Sequence, residues 1–398
     1  MKFFKKDELK LLWPFYLSKF AFTIFYVMIP FEILYFLDIG FSFSQIGIIT
    51  SAVFAAGFLF EIPTGAIADI YGRKTSSIVG YFLSSLAMIL VFFTTNFYSM
   101  VGLYFFLGFA GTFISGAQEA WIIDKLHQNK RKSLIHDYYA RSHSLFSAGF
   151  LLSGILGSIL VGKFGLSVIW PITSVHFLLT GLLFLFVSEK HNRKKFSLSG
   201  HYKDLKNQTK KSIKYSFSHY NLKLFMIGMF FLGLVLVMLG GLTWFPFIKG
   251  MGLDEKYFGY LFSLGWVLGM IIPHFTKKLV GLAGGYKRYL VIVWILLFLL
   301  TSLVLFANSL IFVIVVFIIS SSLWDFHRIG NAPFVQSFIP SEMRATIKSL
   351  QMQILSLTAI FGTILTGFLA ETIGVRYTLV IGAIFVVPLI FIYSKIKD

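Results

Sequence analysis

The chain has 398 residues, 57% of them hydrophobic and only 13% charged, with a mean hydropathy of +0.80 and 48 Phe. So large an apolar share cannot be packed into water-soluble globules of ordinary size, which excludes a soluble enzyme or binding domain and predicts a polytopic membrane protein. With no cysteine there is no disulfide, thiolate nucleophile or sulfur metal site, and a net charge of +18 makes the placement of Lys and Arg the next question.

Apolar runs of about 20 residues, each enough to span roughly 30 Å of hydrocarbon as a helix, recur along the whole chain. The first is expected over 11–37, too long and too closely followed by others to be a cleaved signal peptide. Further spans are expected at 44–67, 75–94, 98–124, 138–162 and 167–188, then, after a polar segment, at 222–248, 256–276, 289–306, 309–338, 345–370 and 375–394. The expected fold is all-α: twelve transmembrane helices in two six-helix bundles, residues 1–190 and 222–398, joined by a cytoplasmic linker over 191–221. The linker portion "DLKNQTKKSIKYSF" reads as a solvated charge run rather than a surface helix.

With both termini in the cytoplasm, 29 of the 35 Lys and Arg fall on inner segments, whereas the outer loops carry only Lys163, Lys249, Lys256 and Arg376. This positive-inside asymmetry assigns the charge to topology and to contact with membrane lipid, and excludes a nucleic-acid partner. Gly40, Gly47 and Gly57 recur as Gly252, Gly259 and Gly269 at an offset of 212, and "GSILVG" at 157–162 recurs as "GTILTG" at 362–367. Two six-helix halves repeated in parallel are an architecture of secondary transporters, with a substrate site near the midplane between them.

Glu61, Asp69, Arg73 and Lys74 crowd between two long apolar runs in "EIPTGAIADIYGRKTSS", Glu61 to Ser77. It is expected to end helix 2, cross a cytoplasmic turn and open helix 3, with Gly65 and Gly72 permitting the turn and Arg73 and Lys74 holding it inside. "GAIADIYGRK" resembles the signature G-x-L-A-D-R-x-G-R-K of the major facilitator superfamily. Gly65, Ala68, Asp69, Gly72, Arg73 and Lys74 match, while Ile67 replaces Leu and Ile70 the first Arg. With "SGAQEAWIIDKL" and "IPSEMRATIKSL", the wider pattern is similar to bacterial facilitators labelled drug exporters. The resemblance implies a conformational gate in which Asp69 sits near the start of helix 11 and Arg73 pairs with Asp124. The corresponding second-half stretch, "TKKLVGLAGGYKR", has no Asp, so this gate is one-sided.

The resemblance further implies a cavity lined by helices 1, 4, 7 and 10. These carry Phe25, Tyr26, Phe31, Trp121, Met238, Trp244 and Trp324, beside Lys19, Glu32, Glu119, Asp325, His327 and Arg328. A charge at the membrane centre costs about 2.5–3.5 kcal/mol, so function is the default reading for it. Asp325, almost central in helix 10 with Arg328 at i+3 on the same face, ranks first as a proton-coupling or substrate-binding residue. Glu61, Glu119, Glu32 and Lys19 follow. Against them stand snorkelling to the interface for Glu32 and Glu119, and pairing with cytoplasmic cations for Glu61. His176 reads as a packed polar residue. On helix 5, "GFLLSGILGS" keeps Ser153, Gly154, Gly157 and Ser158 where a drug-antiporter pattern has Gly, Pro, Gly and Gly; without the Pro it reads as a close-packing face.

These readings converge on a proton-coupled secondary active transporter, an efflux antiporter that exports small amphipathic or drug-like compounds across the bacterial inner (cytoplasmic) membrane. The alternative is uptake or export of one polar metabolite; more remote are a polytopic membrane enzyme and a receptor. HExxH, an Asp-rich cluster and a Walker A loop are absent, so no catalytic residue, metal or cofactor is assigned. The expected partners are a small-molecule substrate, protons and membrane lipid, with the chain acting as a monomer. A cysteine introduced at Asn308 is expected to react with an impermeant maleimide only from outside, and cysteines at Asn192 and Gln208 only from the cytoplasm. Labelling of position 308 from inside would overturn the helix count.

Overall fold

A computed structural model of the chain describes residues 4–189, 213–340 and 343–397, and these contain helices and connections but no strand. Most of the expected linker, residues 191–212, lies outside the described residues. Ten helices among those described are long and apolar enough to cross a membrane, or eleven if the bent helix at 255–282 is one span. Leu59, Ile62, Phe361 and Phe368 are each more than half exposed, the inverse of a soluble surface and the form suited to lipid contact.

The chain divides into two units: residues 1–39, 52–195 and 254–267 in the first, and 40–51, 196–253 and 268–398 in the second. The first opens with α1 (Glu8–Leu17), a π turn (Ser18–Phe22), a 3-10 turn (Thr23–Phe25) and α2 (Glu32–Asp38). The expected continuous helix over 11–37 is therefore broken. Pro30 removes one amide donor and biases Ile29 away from helical geometry, which favours a break there. The freed carbonyls are satisfied by neighbours. Thr23 Oγ1 donates to the Ser18 carbonyl at 3.2 Å, His176 Nδ1 pairs with the Phe22 carbonyl at 2.9 Å, and Ser153 Oγ donates to the Tyr26 carbonyl at 2.7 Å.

The remaining helices of this unit are α3 (Phe43–Tyr71), whose first residues belong to the second unit, α4 (Arg73–Phe92), α5 (Phe97–Thr112), α6 (Ser115–Gln128), α7 (Leu134–Phe164) and α8 (Ile169–Leu185). Its core is aromatic: Trp121 meets Phe15 edge-on at 5.1 Å and Phe184 at 5.4 Å. The small residues of α7 form two packing faces. Gly149, Ser153 and Gly157, one turn apart, receive the broken first segment: a methyl on Gly149 would meet the Phe20 carbonyl at 2.9 Å, and one on Gly157 the Phe31 ring at 2.7 Å. Gly154 and Ser158 instead face residues 259–263, where Ser263 Oγ donates to the Leu151 carbonyl at 2.7 Å and the Tyr260 amide to Ser158 Oγ at 3.0 Å.

The α3–α4 turn is tighter than expected. α3 runs on to Tyr71, and Gly72 alone, at φ +102°, reverses the chain. Gly65 is therefore no turn residue; it lies inside α3, with open space where a side chain would be.

The second unit contains α9 (Tyr220–Met238), α10 (Gly241–Gly250), α11 (Phe258–Leu282, its start in the first unit), α12 (Tyr286–Ser302), α13 (Leu310–Gln336), α14 (Arg344–Thr372), α15 (Val375–Ile384) and α16 (Val386–Lys395). α11 bends by 65° between Ile272 and Phe275. At the start of α3, Ser42 and Gln45 form a reciprocal capping box: the Ser42 amide donates to Gln45 Oε1 at 3.0 Å and the Gln45 amide to Ser42 Oγ at 3.3 Å. The Glu371 carboxylate accepts from Ser42 Oγ and the Ser44 amide, both at 2.9 Å, which suits an anion at a helix N-terminus.

Two glycines of the internal repeat now acquire a reason. A methyl on Gly259 would stand 2.1 Å from the Gly154 carbonyl oxygen, and one on its repeat partner Gly47 would stand 2.8 Å from the Thr363 carbonyl. Backbone cannot yield as a side chain can, so Gly259→Ala is expected to destabilise the purified protein by about 1–3 kcal/mol, the range for overpacking. Gly265→Ala, on the same helix but facing open space, is the matched control in the same thermal-unfolding measurement. Equal stability of the two variants would refute the close approach.

Candidate functional site

Asp325 lies near the middle of α13, and its Oδ1 accepts from Arg328 Nη2 at 2.8 Å, the i+3 pairing expected from helical spacing. Across from it, α11 supplies Gly269: a methyl there would meet Asp325 Oδ2 at 3.0 Å, so the missing side chain makes room for the carboxylate. His327, on the opposite side of α13, is buried; its Nε2 lies 3.3 Å from the Tyr393 hydroxyl, and its ring packs on Trp294 at 4.4 Å. It is thus a packed residue of the unit interior.

In the first unit, Lys19 sits on the π turn, its ammonium 5.1 Å from the centroid of the Phe146 ring and within the electrostatic field of Glu119. π turns insert an extra residue and recur at functional sites, and here one carries the only Lys of the expected first span. Beside Phe146, Phe150 stacks on Trp266 at 4.9 Å. Glu61 does not pair with a cytoplasmic cation among the described residues; it accepts from Ser115 Oγ at 2.6 Å. Glu32 does not snorkel: Tyr104 donates to its Oε2 at 3.2 Å, between α2 and α5. Of the aromatic and Met residues expected on a cavity wall, Phe31, Trp121, Met238 and Trp244 are buried in the interior of their units. Phe31, Met238 and Trp244 lie at or near breaks in their helices, whereas Trp121 sits in the middle of α6.

The charged turn forms a network around the start of α4. Arg73 Nη1 contacts Asp124 Oδ2 at 2.5 Å and Arg73 Nη2 lies 3.7 Å from Asp69 Oδ1. The Arg73 and Lys74 amides donate to the two carboxylate oxygens of Glu189 at 3.1 and 3.2 Å, satisfying orphan donors of the helix N-terminus. Lys74 Nζ in turn donates to the Leu185 carbonyl at 2.9 Å, at the end of α8, where a cation is favoured. One short turn thus ties together α3, α4, α6 and the segment after α8.

With this geometry in place, the sequence is matched over residues 15–357 by the model of the Major Facilitator Superfamily. The chain belongs to that superfamily. A curated relative, the uncharacterized MFS-type transporter YxaM of Bacillus subtilis (strain 168), is 23% identical over 386 residues, covering 93% of this chain and 92% of its own. Among solved structures, a mutant form of nucleoside transporter NupG superposes with a TM-score of 0.81 at 16% identity, covering 97% of this chain and 99% of that one. The POT family transporter PepTSo gives 0.73 at 11% identity over 96% of both chains. At such identities the likeness is one of fold. Membership makes this facilitator a multi-pass membrane transporter with a small-molecule substrate, and not an enzyme.

Two features of the facilitator escape reading from sequence. Glu189 reaches the α4 amides from 116 residues away, and its one sequence signal is an acid opening an otherwise basic segment. Glu8 is wholly buried, where it pairs with Arg141, accepts from the Tyr16 hydroxyl at 2.6 Å and from the Lys5 amide at 2.9 Å. A double-mutant cycle on thermal stability is expected to give a coupling of about 1 kcal/mol between Arg73→Ala and Asp124→Ala, the upper range for partly exposed pairs. Coupling to Asp69→Ala should be weaker; the reverse order would contradict the geometry.

Proposed function

We propose that this facilitator is a proton-coupled secondary transporter that exports small amphipathic compounds by alternating access. It works as a monomer of twelve spans in two six-helix bundles, in the inner membrane of a bacterial cell, with both termini in the cytoplasm. The observation that carries the coupling is the Asp325–Arg328 pair at 2.8 Å in the middle of α13, beside the space left by Gly269. An ionisable pair at that depth is costly unless used. A conformational step that lengthens the pair leaves the carboxylate without its cation and one that restores it returns the cation, the two-state alternation that a coupled cycle requires. Arg328 has the reach for this, being an extended side chain one turn along from the carboxylate.

Asp69, Gly72, Arg73, Lys74 and Asp124 form the gate, with Glu189 as an added member. The network joins helix ends through charges that are only partly buried, so it can be broken at modest cost, as a latch on a two-state equilibrium requires. Lys19, beside Phe146 and within the field of Glu119, supplies a polar substrate contact against an aromatic wall. This combination suits a solute with an apolar body and one charged or hydrogen-bonding group.

A second reading is transport of a single polar metabolite in either direction. It is favoured by the presence of span-embedded charges in both units, and NupG, which shares the fold, is by its name a nucleoside transporter. Accumulation assays in efflux-deficient cells with amphipathic dyes and with nucleosides and dipeptides separate the two. Asp325→Asn in proteoliposomes is expected to abolish most of the proton-driven accumulation, because the amide cannot take up a proton, while substrate exchange without a gradient is retained. Unchanged driven accumulation would remove Asp325 from the coupling step.

A further inference from the structure

Within the second unit, a partly open cavity of about 230 Å³ lies among α9, α13, α14 and α16, at the end where α9 and α14 begin and α13 and α16 finish. It is larger than the roughly 150 Å³ apolar cavity that suffices to bind benzene. Phe225, Met229, Leu232 and Ile339 make most of its wall apolar, and among the described residues Lys348 is the only charged one that lines it.

The polar groups on this wall are one ammonium, two side-chain amides able to donate, and the Tyr393 hydroxyl. Neither the Lys348 ammonium nor the Gln351 amide has a hydrogen-bond or ion-pair partner among the described residues. Asn331 is oriented from behind: the Tyr393 hydroxyl donates to Asn331 Oδ1 at 2.8 Å, and the buried His327 imidazole backs that hydroxyl at 3.3 Å. The Asn331 Nδ2 group has no hydrogen-bond partner among the described residues, so its donors remain available to a ligand in the cavity. An ammonium and two amide donors beside an apolar wall match a carboxylate or phosphate carrying an acyl chain.

We propose that this cavity is a binding site for an anionic amphiphile, its head held by Lys348, Gln351 and Asn331 and its chain lying along Phe225, Met229 and Leu232. The site is separate from Asp325 and Arg328, neither of which lines it. The head belongs either to a bilayer lipid or to a free amphiphile, and the shared chemistry is an anion on an apolar tail.

The test uses the full-length protein in phosphatidylcholine nanodiscs, with octanoate as probe and octanol and octyltrimethylammonium as chain-matched controls. Octanoate is expected to raise the unfolding temperature in a saturable manner and the controls are not. Lys348→Gln should weaken octanoate binding about tenfold, equivalent to about 1.4 kcal/mol. Met229→Trp, which fills the cavity but keeps the ammonium, should weaken it similarly, and Asp325→Asn should leave it unchanged. Competition by phosphatidylglycerol added to the discs would identify a lipid head as the natural occupant; octanoate binding without such competition would identify a free amphiphile. Equal responses to octanoate and octanol, or wild-type octanoate affinity in both cavity variants, would overturn the proposal.

Discussion

Hydrocarbon offers no hydrogen bonds, so each backbone group released by a break in a membrane helix must find its partner inside the protein. Much of this structure follows from that requirement. The first segment breaks between Ser18 and Phe31, and its carbonyls are met by Thr23, His176 and Ser153. The break between α5 and α6 leaves the Thr112 and Phe113 carbonyls, which accept from Thr64 at 3.2 Å and Ser76 at 2.9 Å. That between α9 and α10 leaves the Met238 carbonyl, taken by Thr243 at 2.7 Å. Hydroxyls and one imidazole, placed a helix away or a turn away, thereby decide where the chain can depart from helical geometry. The departures carry Lys19, on the π turn, and Trp244, near the start of α10.

This division explains what the residues reveal on first reading and what they withhold. Helices are legible because length and hydropathy are properties of one segment, and the boundaries of α14, read as 345–370 and found at Arg344–Thr372, show how closely. The breaks are not legible, since a stretch such as "FAFTIFYVMIP" is as apolar as its helical neighbours and its polar partners lie on other helices. Asp325 with Arg328, and Arg73 with Asp124, were recoverable from spacing and from family resemblance. Glu8 with Arg141 was not: 133 residues separate them, and each is locally just another charge at a span end. Gly269 stood out as a member of the repeat, but only the folded chain shows a carboxylate in the space it leaves.

The two halves of the repeat solve their corresponding turns differently. Between α3 and α4 a single left-handed glycine, Gly72, reverses the chain and the surrounding charges fix it, whereas between α11 and α12 two glycines, Gly284 at φ +75° and Gly285 at φ +125°, do so without an acid. A turn held by Arg73, Asp124 and Glu189 is sensitive to ionic strength and to the loss of any one charge. A turn held by backbone geometry is sensitive to neither. The repeat therefore preserves the path of the chain while confining electrostatic control to one copy.

The π turn that carries Lys19 has a consequence of another kind. A π turn is an α-helix holding one residue too many for its length, and each residue of a helix rotates the following faces by about 100°. Residues before Ser18 and after Phe22 are consequently out of phase with one another, as two gears meshed with a tooth between them. Deleting any one residue within Ser18–Phe22 would let the segment relax to regular geometry and turn everything beyond it, so the surplus residue is what allows Phe15 to face the core while Thr23 and Tyr26 still meet the neighbours they do. The register of the whole first segment hangs on a count of one.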